Sequence, residues 1–167
     1  DVWNRDYPGQ IVASGGQLEI TTLVTPGSSF QNIYTSGLYD FRSTCFGIRI
    51  VDAGNMAIPS YQLFPMQVVD YIGTTGHILF LEDNNLYAQT VIEGVYTQLA
   101  SVAYDPLIQS YVRIKEDGGV VYYEYSSDGL DWVLLAKCNL IIDPTIVTIH
   151  IEAGHYPSKN GYAKFPQ

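Results

Sequence analysis

Basic residues are scarce in this chain of 167 residues: eight Lys plus Arg stand against seventeen Asp plus Glu, for a formal net charge of −9. A surface of that sign repels polyanions over most of its area, so nucleic acid and insertion into an anionic membrane are not expected. Long apolar runs are also missing. No stretch approaches the ~20 residues that a helix needs to cross a bilayer, and no basic start followed by an apolar block marks a signal peptide. The chain begins at Asp1 without an initiator methionine, so a mature or excised module of a larger protein is expected, with targeting information elsewhere. Cysteine is limited to Cys45 and Cys138, with no Cys-x-x-Cys spacing, which removes the zinc-ribbon and thioredoxin readings. Two buried thiols acting as small hydrophobes are expected, with one long-range bridge as the alternative. No Asn-x-Ser/Thr acceptor occurs, which favours a microbial or viral origin over a eukaryotic secretory one.

Helical periodicity is absent too. Apolar residues alternate, or run in short blocks that Gly, Pro, Asn and Asp interrupt, which is an all-β pattern. Fourteen tyrosines, and aromatic residues at 13% of the chain, fit strands with Tyr-rich faces. Strands are expected at Gln10–Ala13, Gln17–Leu23, Gly37–Phe41, Cys45–Val51, Gln62–Asp70, His77–Leu81, Leu86–Ile92, Ser110–Lys115, Val120–Ser126, Trp132–Lys137 and Ile146–Glu152. That number in one domain of residues 1–167 predicts a two-sheet antiparallel β-sandwich.

The late turns predict a register. Gly118-Gly119 reads as a two-residue hairpin turn, which sets Asp117 opposite Val120, Ile114 opposite Tyr123, and Val112 opposite Tyr125. Asp128-Gly129 reads as a type I′ turn, which sets Tyr125 opposite Trp132 and Tyr123 opposite Leu134. Both pairings predict one buried face of Val112, Ile114, Val121, Tyr123, Tyr125, Trp132 and Leu134. The other face then carries Tyr111, Arg113, Lys115, Tyr122, Glu124, Val133 and Leu135, with Arg113 directly across from Glu124. Tyr111, Arg113, Tyr122 and Glu124 are the expected ligand platform. The competing reading is a solvated sheet face with a surface salt bridge.

The stretch "YVRIKEDGGVVYYEYSSDGLDWVLLA" resembles the late hairpin pair of the concanavalin A-like lectin/glucanase superfamily, through Tyr111, Arg113, Ile114, Tyr125, Ser126, Asp128, Gly129 and Trp132. "GQIVASGGQLEITT" is similar to the opening hairpin of that family, and "YTSGLYDFRSTCFGIRI" to an early strand pair. The resemblance implies a jelly-roll sandwich that binds or cleaves glycans. The closing segment "GYAKFPQ" lacks the aspartate of the family pattern, so no calcium ion is expected.

Catalysis of the family type needs two carboxylates on one strand face, and no alternating Glu/Asp series occurs. Glu82-Asp83-Asn84-Asn85 reads as a hairpin tip. His150, Glu152 and His155 have donor types that suit zinc, yet Thr148, His150 and Glu152 also read as an outward face opposite buried Val147, Ile149 and Ile151, and that reading is preferred. With His77, His150 and His155 as the only histidines and no Gly-x-Ser-x-Gly elbow, nucleophilic hydrolysis finds no support. The expectation is a non-catalytic carbohydrate-binding module, without metal or cofactor, on an extracellular, cell-surface or virion protein such as a phage tail. The alternatives are a structural or protein-binding module on the same sandwich, and an atypical glycan hydrolase. Beyond the late hairpins, Tyr7, Tyr34, Tyr61, Tyr71, Tyr87, Tyr96 and Tyr104 offer further rings, several of them expected in the core.

Overall fold

A computed structural model describes residues 3–5, 10–14, 17–21, 29–35, 37–53 and 61–155, with side chains for 32–35, 37–53 and 62–154. Thr22 and Leu23, the ring of Tyr7 and the segment 161–167 lie outside these residues, as do the side chains of Tyr61 and His155. The described chain contains no helix. Its strands are β1 (Trp3–Arg5), β2 (Gln10–Ser14), β3 (Gln17–Thr21), β4 (Ser29–Thr35), β5 (Cys45–Arg49), β6 (Tyr61–Asp70), β7 (Gly76–Glu82), β8 (Asn85–Ile92), β9 (Val95–Ala103), β10 (Tyr111–Asp117), β11 (Val120–Ser126), β12 (Val133–Asn139) and β13 (Val147–His155). They form a seven-stranded antiparallel sheet in the order β1-β4-β13-β6-β7-β8-β9 and a four-stranded antiparallel sheet in the order β12-β11-β10-β5. β2 and β3 pair with each other.

The two sheets pack face to face, as the alternation predicts. Val112, Ile114, Val121 and Tyr123 of the smaller sheet share one core with Met66, Val68, Leu79, Leu81, Leu86, Ala88, Val147 and Ile149 of the larger. Tyr123 is fully buried, where a ring of its size removes roughly 150 to 250 Å² from water. Its hydroxyl donates to the Gln89 carbonyl at 3.1 Å and meets His77 Nδ1 at 2.8 Å, so the tyrosine of one sheet is bonded to the histidine of the other.

The larger sheet departs from simple alternation. Every residue of β7 from Gly76 to Leu81 is buried: His77, Leu79 and Leu81 face the small sheet, while Ile78 and Phe80 join Phe64 and Val91 in a second cluster on the opposite face. Pro65 falls where the β6–β7 pairing shifts register, a position that does not need its missing N–H.

Several expected boundaries change. Gly37–Phe41 is not a strand; it makes a single bridge, Tyr39 to Val147, and drives Phe41 fully into the core. β4 and β9 were not expected; β9 is an exposed edge strand whose apolar and polar positions alternate poorly. The Gly118-Gly119 turn forms as expected, with φ of 61° and 84°, and β10 pairs with β11 in the expected register, Arg113 opposite Glu124 included.

The Asp128-Gly129 expectation fails. β11 and β12 are joined by residues 127–132, which are held by side-chain bonds and do not form a two-residue turn. Ser126 Oγ accepts from the N–H of Asp128 and of Gly129, and Asp128 Oδ1 accepts from Ser126 Oγ and from the N–H of Leu130 and Asp131. Tyr125 therefore pairs with Val133, one residue beyond the expected Trp132, and a bulge then sets Tyr123 opposite Ala136. A one-residue slip exchanges faces, so Trp132 leaves the expected core position. Leu134 is exposed beside it, while Leu135, expected outside, packs against the core. Tyr125 is half-buried against that core.

Both cysteines are free thiols. Cys138 packs against the core, but Cys45 is exposed, which corrects the expectation of two buried thiols.

Candidate functional site

The outer face of the four-stranded sheet follows from the pleat. In β10, Val112, Ile114 and Glu116 are buried and Tyr111, Arg113 and Lys115 are not. β11 inverts this order, burying Val121 and Tyr123 and leaving Tyr122 and Glu124 outside. All four expected binding residues, Tyr111, Arg113, Tyr122 and Glu124, therefore share one face. Arg113 Nε donates to Glu124 Oε2 at 2.6 Å, with 21% and 15% of the two side chains exposed. That places the pair between the exposed kind, which contributes little, and a fully desolvated one.

The displaced Trp132 completes this face. Its ring lies under the Arg113 guanidinium, 3.9 Å from carbon to ring centroid, a cation–π contact of about 1 kcal/mol. Arg113 is thus fixed twice, by Glu124 at its Nε and by Trp132 across its plane. Lys115 similarly stands 5.6 Å over Tyr122, and Arg49 of β5 stands 5.6 Å over Tyr111.

These groups surround an open groove of about 390 Å³, lined by Cys45, Gly47, Ile48, Arg49, Tyr111, Arg113, Asp128, Gly129 and Trp132. Gly47 lies directly opposite Arg113, where a Cβ would stand 3.0 Å from Arg113 Cβ and 3.1 Å from the Val112 carbonyl oxygen. Glycine there lets β5 approach while adding no side chain to the groove floor. Asp128 lines the loop side, and the backbone N–H donors of Leu130 and Asp131 hold its carboxyl below the usual range. Tyr111 and Arg113 line the groove, Glu124 braces Arg113 from behind, and Tyr122 lies outside the lining on the same sheet face. Arg49, Gly47, Asp128 and Trp132 were not among the expected site residues. The alternation in "CFGIRI", with Phe46 and Ile48 on one face and Gly47 and Arg49 on the other, is the signal that places Arg49 outside. Nothing comparable signals Trp132.

The other constellations resolve differently. On the outer face of the larger sheet Phe64, Phe80 and Tyr87 stack, with centroids 5.5 and 4.7 Å apart, but Phe64 and Phe80 are buried and belong to the second core cluster. Glu152, expected on an outward face, is buried there and accepts from Gln67 Nε2 at 3.2 Å. His150 lies against Tyr34 and within 3.2 Å of the Thr148 hydroxyl. Among the described residues no group of three or more His, Cys, Asp or Glu is arranged to hold a metal ion. Asp83 and Asn84 form the β7–β8 turn with φ of 47° and 59°, as expected of a hairpin tip, and Glu82 at the strand end accepts from Gln62 at 2.7 Å. Of the remaining tyrosines, Tyr71 is exposed, and Tyr34, Tyr87, Tyr96 and Tyr104 are half-buried.

No protein-family model and no curated protein matches the chain. Among solved structures, a protein of unknown function from Saccharomyces cerevisiae aligns with 13% identity over 82% of this chain and 83% of its own, at a TM-score of 0.32, too low to bear on the fold. The carbohydrate-binding module CBM66 from Bacillus subtilis aligns over 92% of both chains with a TM-score of 0.54 and 11% identity. At that identity the likeness concerns the fold alone, a β-sandwich.

Proposed function

We propose that this domain is a non-catalytic carbohydrate-binding module that takes a glycan on the outer face of its four-stranded sheet. The observation that carries this reading is the groove itself, in which the Tyr111 and Trp132 rings stand beside Arg49, Arg113 and Asp128. Aromatic faces stack on the C–H faces of a sugar while charged and polar groups satisfy its hydroxyls, and a shallow open groove admits a polymer from the side. Tyr111 and Arg113 line the groove, Glu124 is a positioning residue for Arg113, and Tyr122 stands on the same face beyond the lining. The shared architecture with a carbohydrate-binding module supports the reading. Such a module acts outside the cell, at a cell surface or on a virion, as a targeting part of a larger protein.

The test is a glycan array probed with the purified domain, followed by titration of each hit against Trp132→Ala. The expected result is specific hits whose affinity falls by about 1 to 3 kcal/mol in the variant, the truncation cost of an aromatic anchor. Hits that Trp132→Ala leaves unchanged would move the site elsewhere.

One feature favours a protein-binding reading. Tyr71 and Ile72 in the β6–β7 turn, and Ile92 and Val95 at the β8–β9 turn, are all exposed, and the turns are tied together by the Gly94 N–H bonded to the Thr74 carbonyl at 3.2 Å. A silent array would shift attention to this apolar end.

A further inference from the structure

Charge is distributed unevenly over this acidic molecule. Four of the eight basic residues, Arg49, Arg113, Lys115 and Lys137, project from the outer face of the four-stranded sheet. Two of them, Arg49 and Arg113, line the groove. Arg49 is exposed and has no carboxylate within ion-pair distance among the described residues. Arg113 gives only its Nε to Glu124, so its two terminal nitrogens hold no hydrogen bond among the described residues. Tyr111 is directly opposite Arg49 and Gly47 directly opposite Arg113, so Arg49 and Arg113 are diagonal neighbours across the β5–β10 ladder with no side chain at Gly47 between them. The groove therefore has two guanidiniums with terminal nitrogens to offer: that of Arg113, held by Glu124 and Trp132, and the exposed one of Arg49, which stands over Tyr111.

Resting on the sugar-binding reading above, we propose that the glycan is acidic and that a sugar carboxylate lies between Arg49 and Arg113. A guanidinium edge matches a carboxylate in a planar, two-bond geometry and forms stronger bonds with it than with a neutral hydroxyl. Arg113 is well suited to the task because Glu124 and Trp132 already immobilise it, so little side-chain entropy is lost on binding. Asp128 gives the site a direction. It lines the loop side, with its Oδ1 occupied by Ser126, Leu130 and Asp131, and its negative charge repels a carboxylate from that side while accepting from hydroxyls. The carboxylate end of the sugar thus points to β5 and the hydroxyl end to the 127–132 loop. The ligand class is a uronic or sialic acid residue within a glycan.

The experiment uses an array carrying neutral, sulfated, uronate-bearing and sialylated glycans, followed by calorimetric titration of the best carboxylated hit against its carboxyl-reduced counterpart. The wild-type domain is expected to prefer the acid by tenfold or more. Arg49→Gln should bring the two forms within about threefold of each other, whereas Trp132→Ala should weaken the reduced form as well as the acid. Thermal unfolding of Arg49→Gln checks that the exposed substitution leaves the fold intact. Hits confined to sulfated glycans, equal binding of acid and reduced sugar, or an undiminished preference in Arg49→Gln would each overturn the acidic-sugar assignment. In those cases binding that still depends on Trp132 would leave the sugar-binding reading standing. An array without any hit would overturn both.

Discussion

Tyr122 and Tyr123 are adjacent in the chain but belong to opposite surfaces of one sheet. Tyr123 is fully buried and bonded to Gln89 and His77, while Tyr122 lies outside under Lys115. Truncation should therefore separate stability from binding. Tyr123→Ala is expected to destabilise the fold by about 3 to 5 kcal/mol, as large aromatic truncations in cores do, read by urea denaturation. Tyr122→Ala should leave stability within about 0.5 kcal/mol and weaken glycan binding by about 1 kcal/mol or more if the platform extends beyond the groove. Because strand faces alternate with period two, exchanged phenotypes would mean that β11 runs one residue out of the register described. Tyr122→Ala with unchanged affinity would confine the site to the groove.

The element that shapes the site is the 127–132 loop. Ser126 is buried, and its hydroxyl accepts two backbone N–H groups while donating to Asp128 Oδ1. Its removal deletes three part-buried hydrogen bonds that hold the loop. Ser126→Ala should cost about 1 kcal/mol of stability, the usual net worth of an intramolecular hydrogen bond whose partners water can reach. It should also release Trp132 from its stack on Arg113, seen as a shift of the Trp132 indole N–H resonance and a loss of glycan affinity. A variant that keeps both the resonance and the affinity would show that the stack, and not the loop bonding, holds Trp132.

At the scale of the whole molecule, the bond between the sheets is sensitive to acid. His77 is fully buried between the sheets, and burial lowers its pKa from 6.5 to about 4. Tyr123 and Cys138 face it from the small sheet, and Thr90 is its cross-strand neighbour. The Tyr123 oxygen lies 2.8 Å from His77 Nδ1, and Nε2 is left without a partner among the described residues. A depressed histidine pKa means that the unfolded chain binds the proton more readily than the folded one. Stability from this group is complete above about pH 6.5 and is lost as the pH falls toward 4, by roughly 3 kcal/mol in full. Urea denaturation at pH 7.0, 5.5 and 4.5 should show this decline, and His77→Gln should flatten it by a similar amount. Equal pH slopes in the two proteins would rule out a neutral, desolvated His77.

Alternation by itself determined the sandwich, the inward Tyr123 and the Arg113–Glu124 pair, because side-chain direction in a strand is set by parity and the Gly118-Gly119 turn fixes the count between β10 and β11. The sequence did not reveal β9, where an exposed edge relaxes the alternation, or the burial of both faces of β7, which depends on what packs against the sheet from outside. The groove was half legible: Tyr111 and Arg113 follow from parity within one hairpin, but their union with Arg49 depends on which strand pairs with β10 on its other edge. What tertiary structure decided is the face of Trp132: the loop bonded by Ser126 and Asp128 shifts the register of β12 against β11, and the ring comes to rest under Arg113 of β10 on the outer face of the sheet instead of in the core.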